Sequence, residues 1–191
     1  MVKDIVDLFY ELSEKHKLIR SFKYDRLSKG AGVGDEMMPH VFLEDPLYFG
    51  NTDTTTGTVP VTINFDIVIT PQLLENWGIN PSAEAGQNLC YHIALNFIGK
   101  IREMLKNGDL DWVSSIASWN FITLKHWYDN DCDGVRCTLV LNVRNEIQFC
   151  DIDEHFDEDK EFDIKKYLPE IDTDSAQGCA VFDNKLPKFS L

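Results

Sequence analysis

No stretch of this sequence is apolar for long enough to cross a bilayer. Its opening residues, MVKDIVDLFYELSEK, carry charges through what would be the apolar segment of a signal peptide. A soluble chain that stays where it is made is the expectation. The five cysteines, Cys90, Cys132, Cys137, Cys150 and Cys179, are an odd set without a repeating spacing. Reduced thiols in a cytosolic setting are expected, not a disulfide framework. Basic charge is also scarce, with 18 Lys and Arg against 32 Asp and Glu, net −14. Gripping nucleic acid or an anionic membrane requires lysine and arginine to neutralise phosphates, so this balance argues against both.

The motifs of common chemistries are missing or incomplete. Asp129-x-Asp131-x-Asp133-Gly134 opens like a calcium loop, whose twelfth residue should be a bidentate glutamate. Here that residue is Val140, and the residues after Gly134 alternate like a strand. A solvated hairpin turn is the better reading. Gly30, Gly32 and Gly34 resemble a phosphate-cradling loop, but Asp35 stands where the next glycine should be and Pro39 follows closely. No G-x-S-x-G occurs, and no cysteine has a nucleophile's neighbours. Cys132 and Cys137 span a turn without the second pair that a zinc site needs. His16, His40, His92, His126 and His155 are scattered, and His92, on a helix, is read as partly buried and hydrogen-bonded. Trp119, Phe121, Trp127 and Tyr128 lack the interleaved basic residues of a base-stacking surface. The expectation is a non-enzyme with no catalytic, cofactor-binding or metal residues, and no cofactor.

What the chain does contain is apolar periodicity. Hydrophobic residues make up 43% and aromatics 12%, enough for a packed core. Val2, Ile5, Val6, Phe9 and Leu12 repeat at helical spacing, predicting an amphipathic opening helix. Short strands are expected in LIRSFKY and PHVFLEDPLYFG, separated by the glycine-rich loop SKGAGVGDEMMP. Residues 58–70 alternate, with Val59, Val61, Ile63, Phe65, Ile67 and Ile69 on one side, so this strand is read as covering a core on one face only. Residues 82–107 form the clearest helix: Ser82 can cap its start and Asn107-Gly108 its end. Its rows Leu89, Ile93, Phe97, Ile101, Leu105 and Cys90, Ala94, Ile98 predict packing against the 59–69 strand. Residues 117–128 and 135–143 predict a closing hairpin turned at DNDCDG.

These elements give an α+β domain over residues 1–150: a mainly antiparallel sheet, one long helix on one face and an N-terminal amphipathic helix. Residues 151–191, with 12 acidic against 5 basic side chains, are read as an acidic C-terminal arm. Eight carboxylates fall within residues 151–163, a run expected to be a solvated face or interaction arm.

The element order, with the loop SKGAGVGDEMMPHVFLEDP leading to the strand TVPVTINFDIVIT, a single long helix and a hairpin, resembles neck proteins of tailed bacteriophages. These are the tail-terminator, tail-completion and head-to-tail connector ring proteins, and the loop-then-strand wording also resembles ring proteins of crAss-like phages. The resemblance spans roughly residues 1–145. It implies a tail-terminator-like fold and a structural virion subunit in a homo-oligomeric ring of six or twelve copies around the DNA channel. Neighbouring portal, connector or tail rings would be its partners. It also implies no sequence-specific nucleic-acid binding, no membrane, and location at the head–tail junction after assembly in the host cytoplasm. On this reading residues 28–39, with the exposed-looking Met37 and Met38, form a contact loop, and deleting residues 30–37 is expected to leave the domain folded but unable to join particles. Two alternatives remain at this stage: an acidic protein-binding module that inhibits by imitating DNA charge, and an enzyme whose site is dispersed along the chain.

Overall fold

A computed structural model describes residues 2–24, 37–48, 57–127, 131–144 and 180–181. The structure is α+β. Its elements in chain order are α1 (Val2–Lys15), β1 (Ser21–Tyr24), β2 (His40–Leu43), β3 (Leu47–Tyr48), β4 (Thr58–Ile69), α2 (Pro71–Asn76), α3 (Ala83–Asn107), β5 (Val113–Trp127), β6 (Cys132–Arg144) and β7 (Ala180–Val181). The strands join in one sheet of order β5-β6-β4-β2-β1-β7, with β3 pairing β4 beside that path. All pairs are antiparallel except β1 with β2, which is parallel from Ser21↔His40 to Tyr24↔Leu43. The sheet is therefore mixed, not purely antiparallel. The PHVFLEDPLYFG stretch also divides into two strands, and β7 and the short α2 were not anticipated.

Alternation in β4 places Val61, Ile63, Phe65, Ile67 and Ile69 toward the helices, matched in β6 by Val135, Cys137, Leu139, Leu141 and Val143. Across them lies α3, burying Cys90, Ile93, Ala94, Phe97, Ile98 and Ile101 as its periodicity predicts. The opening helix α1 contributes Ile5, Leu8, Phe9 and Leu12. Phe9, Phe65 and Phe97 tie the three elements together, with ring centroids 4.9 Å (Phe9–Phe65), 6.2 Å (Phe9–Phe97) and 6.0 Å (Phe65–Phe97) apart. Burying three such rings is among the largest apolar contributions a core of this size can have. The ends of α3 are set locally: Ser82 Oγ accepts the Ala85 N–H at 3.2 Å, and Gly108 closes the helix at φ 81°.

The opposite face of the sheet is not simply solvated. Phe42, Asp66 and Val68 are almost wholly buried there, and Met38 joins Val68, Leu124 and Cys132 in a second apolar cluster. The one-sided reading of β4 thus holds for its first half and fails for its second. Met38 is 2% exposed, so it is a core residue, not a contact residue. Residues 25–36, which include Gly30, Gly32 and Gly34, lie outside the described residues, as do 145–179 and 182–191.

One glycine is dictated by close approach. A Cβ on Gly134 would sit 2.1 Å from the Ile67 carbonyl oxygen and 2.9 Å from Val68 Cα. The glycine of the Asp-rich motif therefore exists to let β6 run against β4, not to bend a cation loop.

Candidate functional site

The sequence-singled residues do not converge. In the Asp-rich motif, Asp131 is exposed and faces the His126 Nδ1 at 3.0 Å. Asp133 is buried and accepts the His126 backbone N–H at 3.2 Å, closing the irregularity where β5 leaves its register with β6. Asp129 lies outside the described residues. The two described carboxylates thus point to protein partners, and among the described residues no group of His, Cys, Asp and Glu is placed to hold a metal ion. Cys132 and Cys137 do not span the turn: both lie in β6. With Cys90 they are buried thiols. Burial raises the Cys90 thiol and pushes Cys137 up to about 12, so neither forms the reactive thiolate at neutral pH. His92 is exposed, its ring 5.9 Å from that of Tyr91, contrary to the partly buried role expected of it.

Two polar constellations arise from sheet register, which no spacing along the chain reveals. In the first, Ser21 and His40 are cross-strand partners on the face away from the helices. Ser21 Oγ lies 2.6 Å from His40 Nδ1 and 2.5 Å from the Met37 carbonyl oxygen, to which it donates. His40 Nδ1 must then carry the proton it shares with Ser21, leaving Nε2 as a lone pair, and that atom is buried without a partner. Burial, aided by Lys23, lowers the His40 pKa to about 3. A serine nucleophile needs a histidine that takes its proton. Here the serine's proton goes to a carbonyl and both side chains are buried, so the pair holds β1 and β2 in place.

In the second, Arg136 Nε and Nη2 bind the two Asp66 carboxylate oxygens at 2.7 and 2.9 Å, and Nη2 also reaches Glu44 Oε1 at 2.7 Å. Asp66 is fully buried. Beside them Thr138 Oγ1 donates to Asn64 Oδ1 at 2.8 Å. Burial raises the Glu44 pKa, opposed by Arg136. The guanidinium fork is engaged by carboxylates of its own chain, the geometry of a clamp between β4, β6 and the residue that follows β2. Sequence reading had placed Asp66 on a solvated face. The signal that would have found it is the arginine in the middle of β6 opposite the lone aspartate in β4.

A groove of about 250 Å³ opens between α1 and α3, lined by Leu12, His16, Phe97 and Met104 and rimmed by Lys15, Lys100 and Asn96. Glu11 binds Lys15 and Glu103 binds Lys100 at its mouth, which leaves no charge excess there. Partial burial lowers the His16 pKa.

Exposed apolar side chains lie on both faces of β5. Ile122 is 58% exposed and Trp119 36%, with the Arg102 guanidinium 4.4 Å over the Trp119 ring. Among the described residues no strand pairs the outer side of β5. From Ser118 to Leu124 its register with β6 is unbroken, and this stretch carries no ionisable side chain. No helix of the described residues is long and apolar enough to cross a membrane. A scan of protein-family models and a search of the curated proteins each return no match to this sequence.

Proposed function

We propose that this chain is a structural subunit that assembles into a ring at the head–tail junction or tail of a tailed phage, with a tail-terminator-like fold and a role in joining rather than catalysis. One observation supports the reading best: among the described residues the 15-residue β5 has no partner on its outer side and carries no charge from Ser118 to Leu124, in a chain of net charge −14. Soluble proteins ordinarily protect such edges with charge, proline or shortness, and an edge left bare fits a surface that another chain covers. The acidic excess suits a subunit that must let DNA slide past without gripping it. Copies of itself and the adjoining portal, connector or tail rings are the partners on this reading, and the virion is its location.

The test is microscopy of the purified chain together with antibody labelling of particles from the source phage. Closed rings and label at the neck are expected. A monomer at all concentrations together with unlabelled particles would overturn the proposal. Retention of that monomer on a basic partner protein would favour the charge-imitating inhibitor.

A further inference from the structure

The two edges of the sheet are unequal. Among the described residues β5 is 15 residues long and unpaired on its outer side, whereas β1, four residues long, is closed by the two-residue β7, which pairs Ser21↔Val181 and Phe22↔Ala180. Strand senses relate these edges. β5 is antiparallel to β6, β6 to β4 and β4 to β2, while β2 is parallel to β1. Both β5 and β7 therefore run opposite to β1. If copies repeat head to tail with strand direction kept, β5 of one copy meets β1 of the next in the sense that β7 now holds.

We infer that β7 is an exchangeable strand: it closes β1 in the separate subunit, and β5 of a second copy replaces it on assembly, continuing the sheet from copy to copy. This rests on the ring reading and names the surfaces that ring would use. Charge supports a second copy as the occupant. Like-charged subunits repel wherever carboxylates meet, yet Ser118–Leu124 carries no charge and β1 carries only Lys23. Length supports the replacement, since β7 matches two of the four residues of β1 and β5 is long enough to match all four. Heterologous contacts of this kind close into rings when the rotation between copies allows it.

Sedimentation velocity on four forms of the chain tests this: the parent, the chain lacking residues 180–191, Ile122→Lys, and the two changes combined. Removing a competitor that occupies the edge most of the time tightens apparent association in inverse proportion to the fraction left open, on the order of tenfold. The shortened chain should therefore self-associate at about one tenth of the parent's concentration, and Ile122→Lys should return it to monomer. If the shortened chain does not fold by circular dichroism, Val181→Pro in the full chain makes the same test, because proline lacks the N–H that a strand pair uses. A folded chain without β7 that associates no better than the parent overturns the inference, as does association that Ile122→Lys leaves intact. Rings at the phage neck that incorporate Ile122→Lys normally would sink the exchange and leave the ring reading standing. Exchange in solution with unlabelled particles would do the reverse.

Discussion

The two faces of the sheet solve the same problem with different chemistry. Toward α1 and α3 the interface is built of interchangeable apolar volume, Phe9, Phe65 and Phe97 at its centre. Away from the helices the buried groups include Asp66, His40 and Ser21, each bonded to a particular partner, although His40 Nε2 has none. An apolar face tolerates changes of similar size and loses stability in proportion to the volume removed. A face of paired polar groups gains little from each pair but loses much when one member is left buried alone. The difference teaches that the first face sets the domain's stability, while the second fixes which strand lies beside which.

The largest effect should come where the second face has no room at all. Gly134→Ala forces a Cβ to 2.1 Å from the Ile67 carbonyl, so β4 and β6 must separate locally. Loss of the cooperative thermal transition, or a fall of more than about 4 kcal/mol in denaturant unfolding, is expected. Full stability in that variant would mean the strands approach less closely than described.

Arg136→Met should cost about 3–5 kcal/mol by stranding the buried Asp66 carboxylate. Adding Asp66→Leu should recover much of that loss, a strong non-additivity. Phe97→Ala on the helix face should cost a similar 3–5 kcal/mol, yet Phe97→Leu far less, with no single compensating partner. Additive behaviour at Arg136 and Asp66 in chemical denaturation would erase the contrast between the faces.

A pH series separates them further. In the unfolded chain histidine titrates near 6.5, whereas folded His40 is held at about 3. Folding therefore favours the neutral ring. Its contribution is complete above pH 6.5 and declines as pH falls toward 3, by about 1.4 kcal/mol per pH unit. His16, also lowered, acts in the same direction. The difference in unfolding free energy between the parent and His40→Gln isolates the His40 part, and parallel pH profiles would refute it. The smallest effect belongs to the helix side: Ser82→Ala removes the cap on Ala85 and should cost about 1 kcal/mol, read as a modest drop in melting temperature.

Local chemistry was what the sequence made legible. The 3.6-residue repeat and both caps gave α3 nearly to the residue, and strict alternation gave β4, because those signals depend on neighbours a few positions apart. β5 was found but started too late, since register shifts at Val113/Ser115 and Ile116/Ser118 break the alternation at its beginning. The polar pairs on the far face were invisible for a different reason. Ser21–His40 and Arg136–Asp66 join residues from different strands, and only the register, fixed by the whole sheet, brings them together. Asp66 and Met38 looked exposed because a polar residue in alternation, or a methionine next to glycines, ordinarily is.

The parallel pairing of β1 with β2 has a consequence for the glycine-rich stretch between them. Two adjacent strands pointing the same way cannot be joined by a tight turn, because the chain leaves one end of the first and must enter the second at the opposite end. The connection from Tyr24 to His40 must therefore be long enough to reach back along the pair. Connections of this kind ordinarily need about a dozen residues. Excising residues 30–37 would leave seven residues of connection between Tyr24 and His40, below that ordinary length. The contact role proposed for residues 28–39 is better probed by exchanging side chains at constant length, so that the connection between β1 and β2 keeps its reach.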